Sequence, residues 1–591
     1  MKDFFKTFFA ALLALIVAGG VAFLIFIGVV AAIGSSSKPT VPSKAVLVFD
    51  MDTNLTDAEH NPEPAEAISE AMGGGGAHSQ ALPAAIDAID RAATDNRIAG
   101  LFLTGNLQSA GPAQLKELRE AIQRFKAKKP VIAYNLGWGK REYYLAAGAS
   151  TVYMNPFGNL EINGLASEPM FFGDAFKKYG VEVQVTRVGK YKSAVEPFIL
   201  DKMSDPNREQ VQKLLDDLWG EWKTSVAKDR KTTPEALQAI ADDQGIVEAE
   251  DAKKLGLIDK IAPYDEVLDA LKGLVGRKPK DRDFPQIALA TYAGIPSEAK
   301  QGHNRIVVLV AEGEIVDGEG KANQIGGDSL SQELRRLRLD DRVKAVVLRV
   351  NSPGGSAAAS ELIQREVILT KKVKPVVVSM GHLAASGGYW ISTYGDRIFA
   401  EPGTITGSIG VFGMLPNVKQ LANDHGITWD SVQTAKMANP MTLTRPKTDL
   451  ELARIQGLVD HIYDQFISKV ADSRKMKKEA VQEIAQGRVW SGQEALKLGL
   501  VDEMGGLDAA VKYAAKMAKV ENDYYVAGPE QEPDAFKEIL RSIIQGKPRK
   551  LAKAGPVDVL VGDLKRQFEM LSSMNDPQGV YARLPFDLDL K

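Results

Sequence analysis

The 591-residue chain contains no cysteine and only six histidines. Without cysteine there is no disulfide, no thiol nucleophile, no zinc ribbon and no iron–sulfur cluster. The histidines (His60, His78, His303, His382, His425 and His461) nowhere stand at the i, i+4 spacing of a helical metal site, so metal chemistry is not expected. An excess of charge of one sign is missing too. Seventy-three basic residues against 76 acidic ones leave a formal net charge of −3, too balanced for a protein that works by coating nucleic acid. No G-x-x-x-x-G-K-[ST] loop occurs, and Gly73–Gly76 reads as a flexible loop beside a polar stretch, so no nucleotide or other cofactor is implied. Core-forming material is plentiful: 45% of the residues are hydrophobic, and the length predicts at least two folded domains.

A long hydrophobic run occurs once. From Phe8 to Ile33 the chain has 26 residues without a charge. As a helix this is roughly 39 Å long, enough to cross a hydrocarbon core of about 30 Å with some tilt. A cleaved signal peptide has an apolar region of only about 7–15 residues, so the run is expected to be an uncleaved anchor. Lys2 and Lys6 on one side and Lys38 and Lys44 on the other barely bias its orientation. Residues 1–34 are thus read as amino terminus and transmembrane helix, and the polar, proline-containing residues 35–43 as a linker. Everything after it is expected on one side of the membrane.

Past the linker, short β-rich apolar runs alternate with amphipathic stretches, the pattern of parallel βαβ units. Strands are predicted at 45–49, 99–103 and 130–134, with a helix over 113–126. The order then recurs: strand 305–311, helix 329–339, strand 344–350, helix 357–371, strand 375–380. Three stretches also match in sequence at a shift of roughly 245 residues: 128–147 with 373–392, 214–230 with 458–474, and 248–261 with 491–504. The reading is an α/β protein made of two tandem repeats, 44–275 and 304–520. A charged joint at 276–303 separates them, and a tail at 521–591 follows.

The second repeat holds two segments that the first lacks. Asn351-Ser352-Pro353-Gly354-Gly355-Ser356 lies between a strand and a helix, where glycines let backbone N–H groups face an anion or oxyanion; a plain tight turn is the alternative. Ala384-Ala385-Ser386-Gly387-Gly388 follows the next strand and opens a helix, which suits a nucleophile whose following N–H helps hold an oxyanion, or simply an N-cap serine. The first repeat has Asn106–Ala110 and Gly139-Lys140-Arg141 at these places, as if the two copies divided the work. A serine nucleophile needs a base. His382 lies four residues before Ser386. The other route is a lysine whose amine burial neutralises, and Val188–Ala194 offers Lys190 and Lys192, neither distinguished by spacing from a surface lysine.

These segments together resemble the long, tandem form of the bacterial signal peptide peptidase (SppA) family. The likeness is carried by VGKYKSAVEPF (188–198), VNSPGGSA (350–357), SMGHLAASGGYWIS (379–392), TITGSIGVFG (404–413) and NDPQ (575–578). The resemblance implies a ClpP/crotonase-like α/β unit repeated twice and a serine–lysine dyad endopeptidase that degrades released signal peptides. It implies Ser386 as nucleophile, Lys192 from the first repeat as general base, Ser408 as the residue orienting the lysine, and the N–H groups of Gly354 and Gly387 as the oxyanion hole. Lys436, near the repeat-equivalent position of Lys192, is the rival base, although AKMANP has replaced the KYKSA context there. His382 stands where the family often has glycine. The resemblance further implies an extracytoplasmic catalytic part on the bacterial inner membrane and a homo-oligomer, a tetramer. Two other classes remain as alternatives: a crotonase-like acyl-CoA enzyme on the same fold, and a membrane scaffold with a dead site.

Overall fold

The structure, a computed structural model, describes residues 40–58, 79–296, 302–321, 323–529, 576 and 580–584. The apolar run Phe8–Ile33 lies outside the described residues; among these, no helix is long and apolar enough to cross a membrane.

Each repeat is built on its own sheet. In the first, six strands lie in the order Lys260–Ile261, Thr151–Met154, Val131–Asn135, Ile98–Thr104, Ala45–Asp50, Gln286–Ala288, with every neighbouring pair parallel. In the second, the order is Val489–Ser491, Ile405–Gly407, Val376–Ala385, Val343–Ser352, Asn304–Glu312, Tyr524–Ala527. Arg397–Ala400 and Glu503–Met504 form a branch on Val376–Ala385. The central strands are near-continuous runs of Val, Ile, Leu and Ala, as required where helices cover both faces of a parallel sheet. Val346, Val347 and Leu348, for example, are all completely buried.

The duplication is visible in detail. Helices Asp205–Arg230 and Asp449–Arg474 each have 26 residues. Ser204 and Thr448 cap their first turns, and Lys231 and Lys475 end them with the same left-handed backbone, φ 54° and ψ 40°.

Two expected boundaries shift. Within 276–303, read as a joint, Gln286–Ala288 adds an edge strand to the first sheet, and Ile287, Leu289 and Tyr292 pack into its core. Beyond residue 520, read as tail, Tyr524–Ala527 pairs with Asn304–Glu312 and Val580–Arg583 forms a further strand. Three or four residues are too few to show a period in sequence; pairing to a neighbour that is already present is what orders them.

The repeats are joined by a third sheet and by buried charge. In the third sheet the order is Gln324–Gly326, Glu314–Val316, Gly354–Ser356, Val580–Arg583, Val411–Asn417, Glu182–Val188. Its last strand comes from the first repeat and pairs antiparallel with Val411–Asn417 over seven residues, from Val411↔Val188 to Asn417↔Glu182. Elsewhere Arg349 of the second repeat, completely buried, bonds Asp57 and Glu117 of the first and Ser379 of its own.

Candidate active site

The segment after Val188 carries the first repeat into the second. Gly189, at φ +99°, turns the chain, and Tyr191 N–H donates to the Gln486 carbonyl at 3.0 Å. Lys192 then lies against backbone: a β-carbon on Gly487 would stand 2.7 Å from Lys192 Cβ, and one on Gly410 would stand 3.2 Å from Lys192 Cδ. Only glycine leaves room there for the lysine stem. Gln210, on the following helix, holds the turn by donating to the Tyr191 carbonyl (3.0 Å) and to Ser193 Oγ (3.2 Å).

Lys192 Nζ ends 2.8 Å from Ser386 Oγ, 3.0 Å from Ser408 Oγ and 3.2 Å from the Ser408 carbonyl oxygen. All three residues are completely buried. No carboxylate pairs with this amine among the described residues. Burial therefore drives its pKa far below the ordinary lysine value, and the positive charge of Arg583 pushes in the same direction. Ser386 sits at the start of the short helix Gly387–Ser392 but caps nothing with its side chain. Its backbone is at φ 56°, ψ −113°, a strained conformation for a residue with a β-carbon. The hydroxyl points at the lysine instead of the helix end, which disposes of the N-cap alternative.

The glycine pairs are not arranged as the motif suggested. Gly354 and Gly355 form a short strand rather than a turn, at φ +97° and +153°. Gly354 N–H donates to Ser352 Oγ at 3.1 Å and is already engaged. Leu584 N–H donates to the Pro353 carbonyl at 2.6 Å. With Gly354 opposite Arg583 and Gly355 opposite Ala582, this makes Gly355–Ala582 the hydrogen-bonded pair, so it is Gly355 N–H that faces the Ala582 carbonyl. Gly387 packs against this strand, its absent β-carbon falling 3.0 Å from the Ala582 carbonyl oxygen and 3.1 Å from Gly354 Cα. Gly387 and the glycine strand are thus brought together, with Gly354 N–H on Ser352 Oγ and Gly355 opposite Ala582. Along a strand successive N–H groups point to opposite sides, and nothing in the sequence GG says which one faces the site.

The remaining candidates lie elsewhere. Lys436 is exposed, in an irregular stretch far from any such burial, and Lys190 is exposed over the ring of Tyr191. The His382 ring packs against Gly111 of the first repeat, burial lowers its pKa to about 4, and its Nδ1 has no hydrogen-bond partner among the described residues. Sequence reasoning missed Gly355 and the strand Val580–Arg583 that covers the glycines. The NDPQ motif just before that strand was the one available signal: Asp576 accepts from Ser356 Oγ at 2.7 Å and from Ala358 N–H at 3.1 Å.

Known proteins match this chain over most of its length. The profile of Peptidase family S49 matches twice, at residues 123–278 and 368–521. Protease 4 of Salmonella typhi is 34% identical over 95% of this chain and 93% of its own length. Protease 4 of Haemophilus influenzae is 34% identical over 93% and 92%. The chloroplastic serine protease SPPA of Arabidopsis thaliana is 33% identical over 74% of this chain and 66% of its own. Among solved structures, a membrane-bound stomatin-specific protease gives a TM-score of 0.26 at 16% identity, covering 39% of this chain and 99% of its own. A ClpP1 variant from Listeria monocytogenes gives 0.24 at 16%, covering 35% and 95%. With two copies of the family's domain and relatives matched almost end to end, the chain belongs to Peptidase family S49 and is a serine peptidase.

Proposed function

We propose that the chain is a membrane-anchored serine endopeptidase, two ClpP/crotonase-type units sharing one serine–lysine dyad, that degrades cleaved signal peptides at the bacterial cytoplasmic membrane. The observation that carries the dyad is the buried Lys192 amine, 2.8 Å from Ser386 Oγ with no carboxylate beside it. Burial that favours the neutral amine makes Lys192 the base of the pair, and the hydroxyl it faces is the nucleophile it activates.

Ser386 Oγ attacks the peptide carbonyl while its proton passes to Lys192 Nζ. Ser408, through its hydroxyl and carbonyl, holds the amine in line and stabilises it once protonated. The oxyanion forms between Gly387 and the glycine strand, where the Ala582 carbonyl now stands, with the N–H groups of Gly387 and Gly355 as its donors. As the C–N bond breaks, Lys192 returns the proton to the leaving amine. A water then attacks the acyl-enzyme, again giving its proton to Lys192, and Ser386 is regenerated. No metal or cofactor enters these steps.

The substrate class rests on two features. The run Phe8–Ile33 would tether the enzyme at the bilayer and raise its concentration near membrane-borne peptides. The cluster beside Ser386 is apolar: Ala385 and Leu584 pack there with Leu214, Leu218, Ile405 and Val489, surroundings that suit the hydrophobic segment of a signal peptide. An extracytoplasmic catalytic part and a homotetramer complete the reading on the strength of the family resemblance.

The test is hydrolysis by the full chain, in detergent or liposomes, of a synthetic signal peptide and of a charged peptide of equal length. Ser386→Ala and Lys192→Ala should each lose more than ~10³-fold in kcat, and Lys436→Ala should keep the wild-type value. An inactive Lys436→Ala beside an active Lys192→Ala would move the base to the second repeat. Equal rates on the two peptides would reject the signal-peptide assignment.

A further inference from the structure

The strand that covers the glycines is the chain's own carboxyl-terminal segment. Val580–Arg583 lies between the two strand edges of the site, antiparallel to Gly354–Ser356 on one side and to Val411–Asn417 on the other. Its contacts are those of a bound peptide. The Ala582 carbonyl meets Gly355 N–H across the ladder and stands beside Gly387, where the oxyanion of a cleaved bond would form. Tyr581 packs on Phe412, with ring centroids 5.9 Å apart. Leu584, almost completely buried, packs in the apolar cluster of Val211, Leu214, Leu218, Ile405 and Val489. Arg583 is paired with Glu314 at 3.1 Å, and Asp576 ties the segment to Ser356. Backbone pairing that leaves alternate side chains in pockets is how an extended peptide is recognised by strand addition.

We propose that Val580–Leu584 is a built-in pseudosubstrate: it fills the peptide cleft with the Ala582 carbonyl at the scissile position, and a substrate binds only by displacing it. The proposal deepens the peptidase reading and rests on it. With the strand in this position Ser386, Lys192 and Ser408 are completely buried. Its departure opens a slot with two unpaired edges, which an extended apolar peptide fills with the same ladder. The enzyme is thereby restrained until a peptide with enough apolar residues competes for the Leu584 and Tyr581 places.

The test compares the full chain with one ending at residue 575, and with a full-length Tyr581→Asp/Leu584→Asp variant in case the shortened chain folds poorly. Hydrolysis of a fluorogenic apolar peptide should be at least tenfold faster in kcat/KM for both variants, through a lower KM. A synthetic peptide of residues 576–591 should inhibit the shortened enzyme competitively. A labelled form of it should bind the shortened chain carrying Ser386→Ala, which reads occupancy without catalysis. A shortened chain that is folded but slow, and is rescued by the added peptide, would overturn the proposal and make the strand a permanent part of the site. Absence of peptide binding alongside normal hydrolysis would overturn it alone. Binding without hydrolysis by any form would leave the strand assignment standing and sink the peptidase reading instead.

Discussion

Lys192 and Ser386, 194 residues apart and in different copies of a duplicated unit, stand 2.8 Å from each other in a site closed to solvent. Neither repeat holds both groups, so the proposed dyad depends on the seam between them. That seam is made by the strand exchange of Glu182–Val188 onto Val411–Asn417, which delivers the lysine.

The buried amine predicts a pH signature. Because the folded-state pKa of Lys192 lies below its ordinary value, kcat/KM should rise with pH through a single ionisation well below 10.5. Ser408→Ala should lower kcat about tenfold, the loss of one bond to the amine, with KM held. Stability carries the same sign. Below the folded pKa the buried site must hold a charge, a penalty of ~1.4 kcal/mol for each unit of depression that disappears only above the ordinary lysine pKa. Lys192→Met should therefore melt higher than the parent, with the gain larger at pH 6 than at pH 10. A flat difference between the two melting curves would show the amine to be unperturbed.

Gly387 has no room for a side chain. A β-carbon there would lie 2.7 Å from Ser360 Oγ and 3.0 Å from the position held by the Ala582 carbonyl oxygen. Gly387→Ala should reduce kcat by ~10²–10³-fold, the usual loss when one oxyanion donor is displaced. Steady-state kinetics with a circular-dichroism melt decides it: loss of kcat in a folded protein is expected, and wild-type turnover would remove Gly387 from the oxyanion site.

Arg349 should hold the repeats together electrostatically. It is completely buried between Asp57 and Glu117, and burial raises the Glu117 pKa even with the guanidinium beside it. Arg349→Met leaves two buried carboxyls without a partner and should cost ~3–5 kcal/mol in urea unfolding. Adding Asp57→Asn and Glu117→Gln should recover most of this loss. No recovery in the triple variant would mean that packing, not charge, sets the cost.

Glu401 gives a second, opposite pH dependence. Burial, together with the negative charges of Glu120 and Glu117, pushes its pKa up to about 8. The folded state then binds a proton that the unfolded chain has released, so the stabilising contribution is complete below about pH 4.5 and is lost as pH rises through 8. Glu401→Gln should match the parent near pH 5 and exceed it by up to about 5 kcal/mol near pH 9. Parallel stability curves for the two proteins would locate the proton elsewhere.

Much of the fold is legible in the sequence itself. The predicted strand at 99–103 is Ile98–Thr104, the helix at 113–126 is Pro112–Lys126, and the helix at 357–371 is Ala357–Lys371. Long buried strands and amphipathic helices carry their period in the residues themselves. The duplication was readable for the same reason. The short elements were not. Gln286–Ala288, Tyr524–Ala527 and Val580–Arg583 have three or four residues each, and only a partner strand makes them strands.

The site divides along the same line. By itself the sequence determined which chemical groups are available: a chain without cysteine, with a serine between Ala385 and Gly387, two glycines after Pro353, and lysines at 190, 192 and 436. Tertiary structure alone decided among them. It buried Lys192 against Gly410 and Gly487 while leaving Lys190 and Lys436 in solvent. It turned Gly354 N–H to Ser352 Oγ and set Gly355 opposite Ala582, and it laid the carboxyl-terminal strand across both glycines. A lysine becomes a base through loss of water around its amine, and an N–H becomes an oxyanion donor through the side of the strand it faces. Both are properties of neighbours distant in sequence, and no local pattern encodes them.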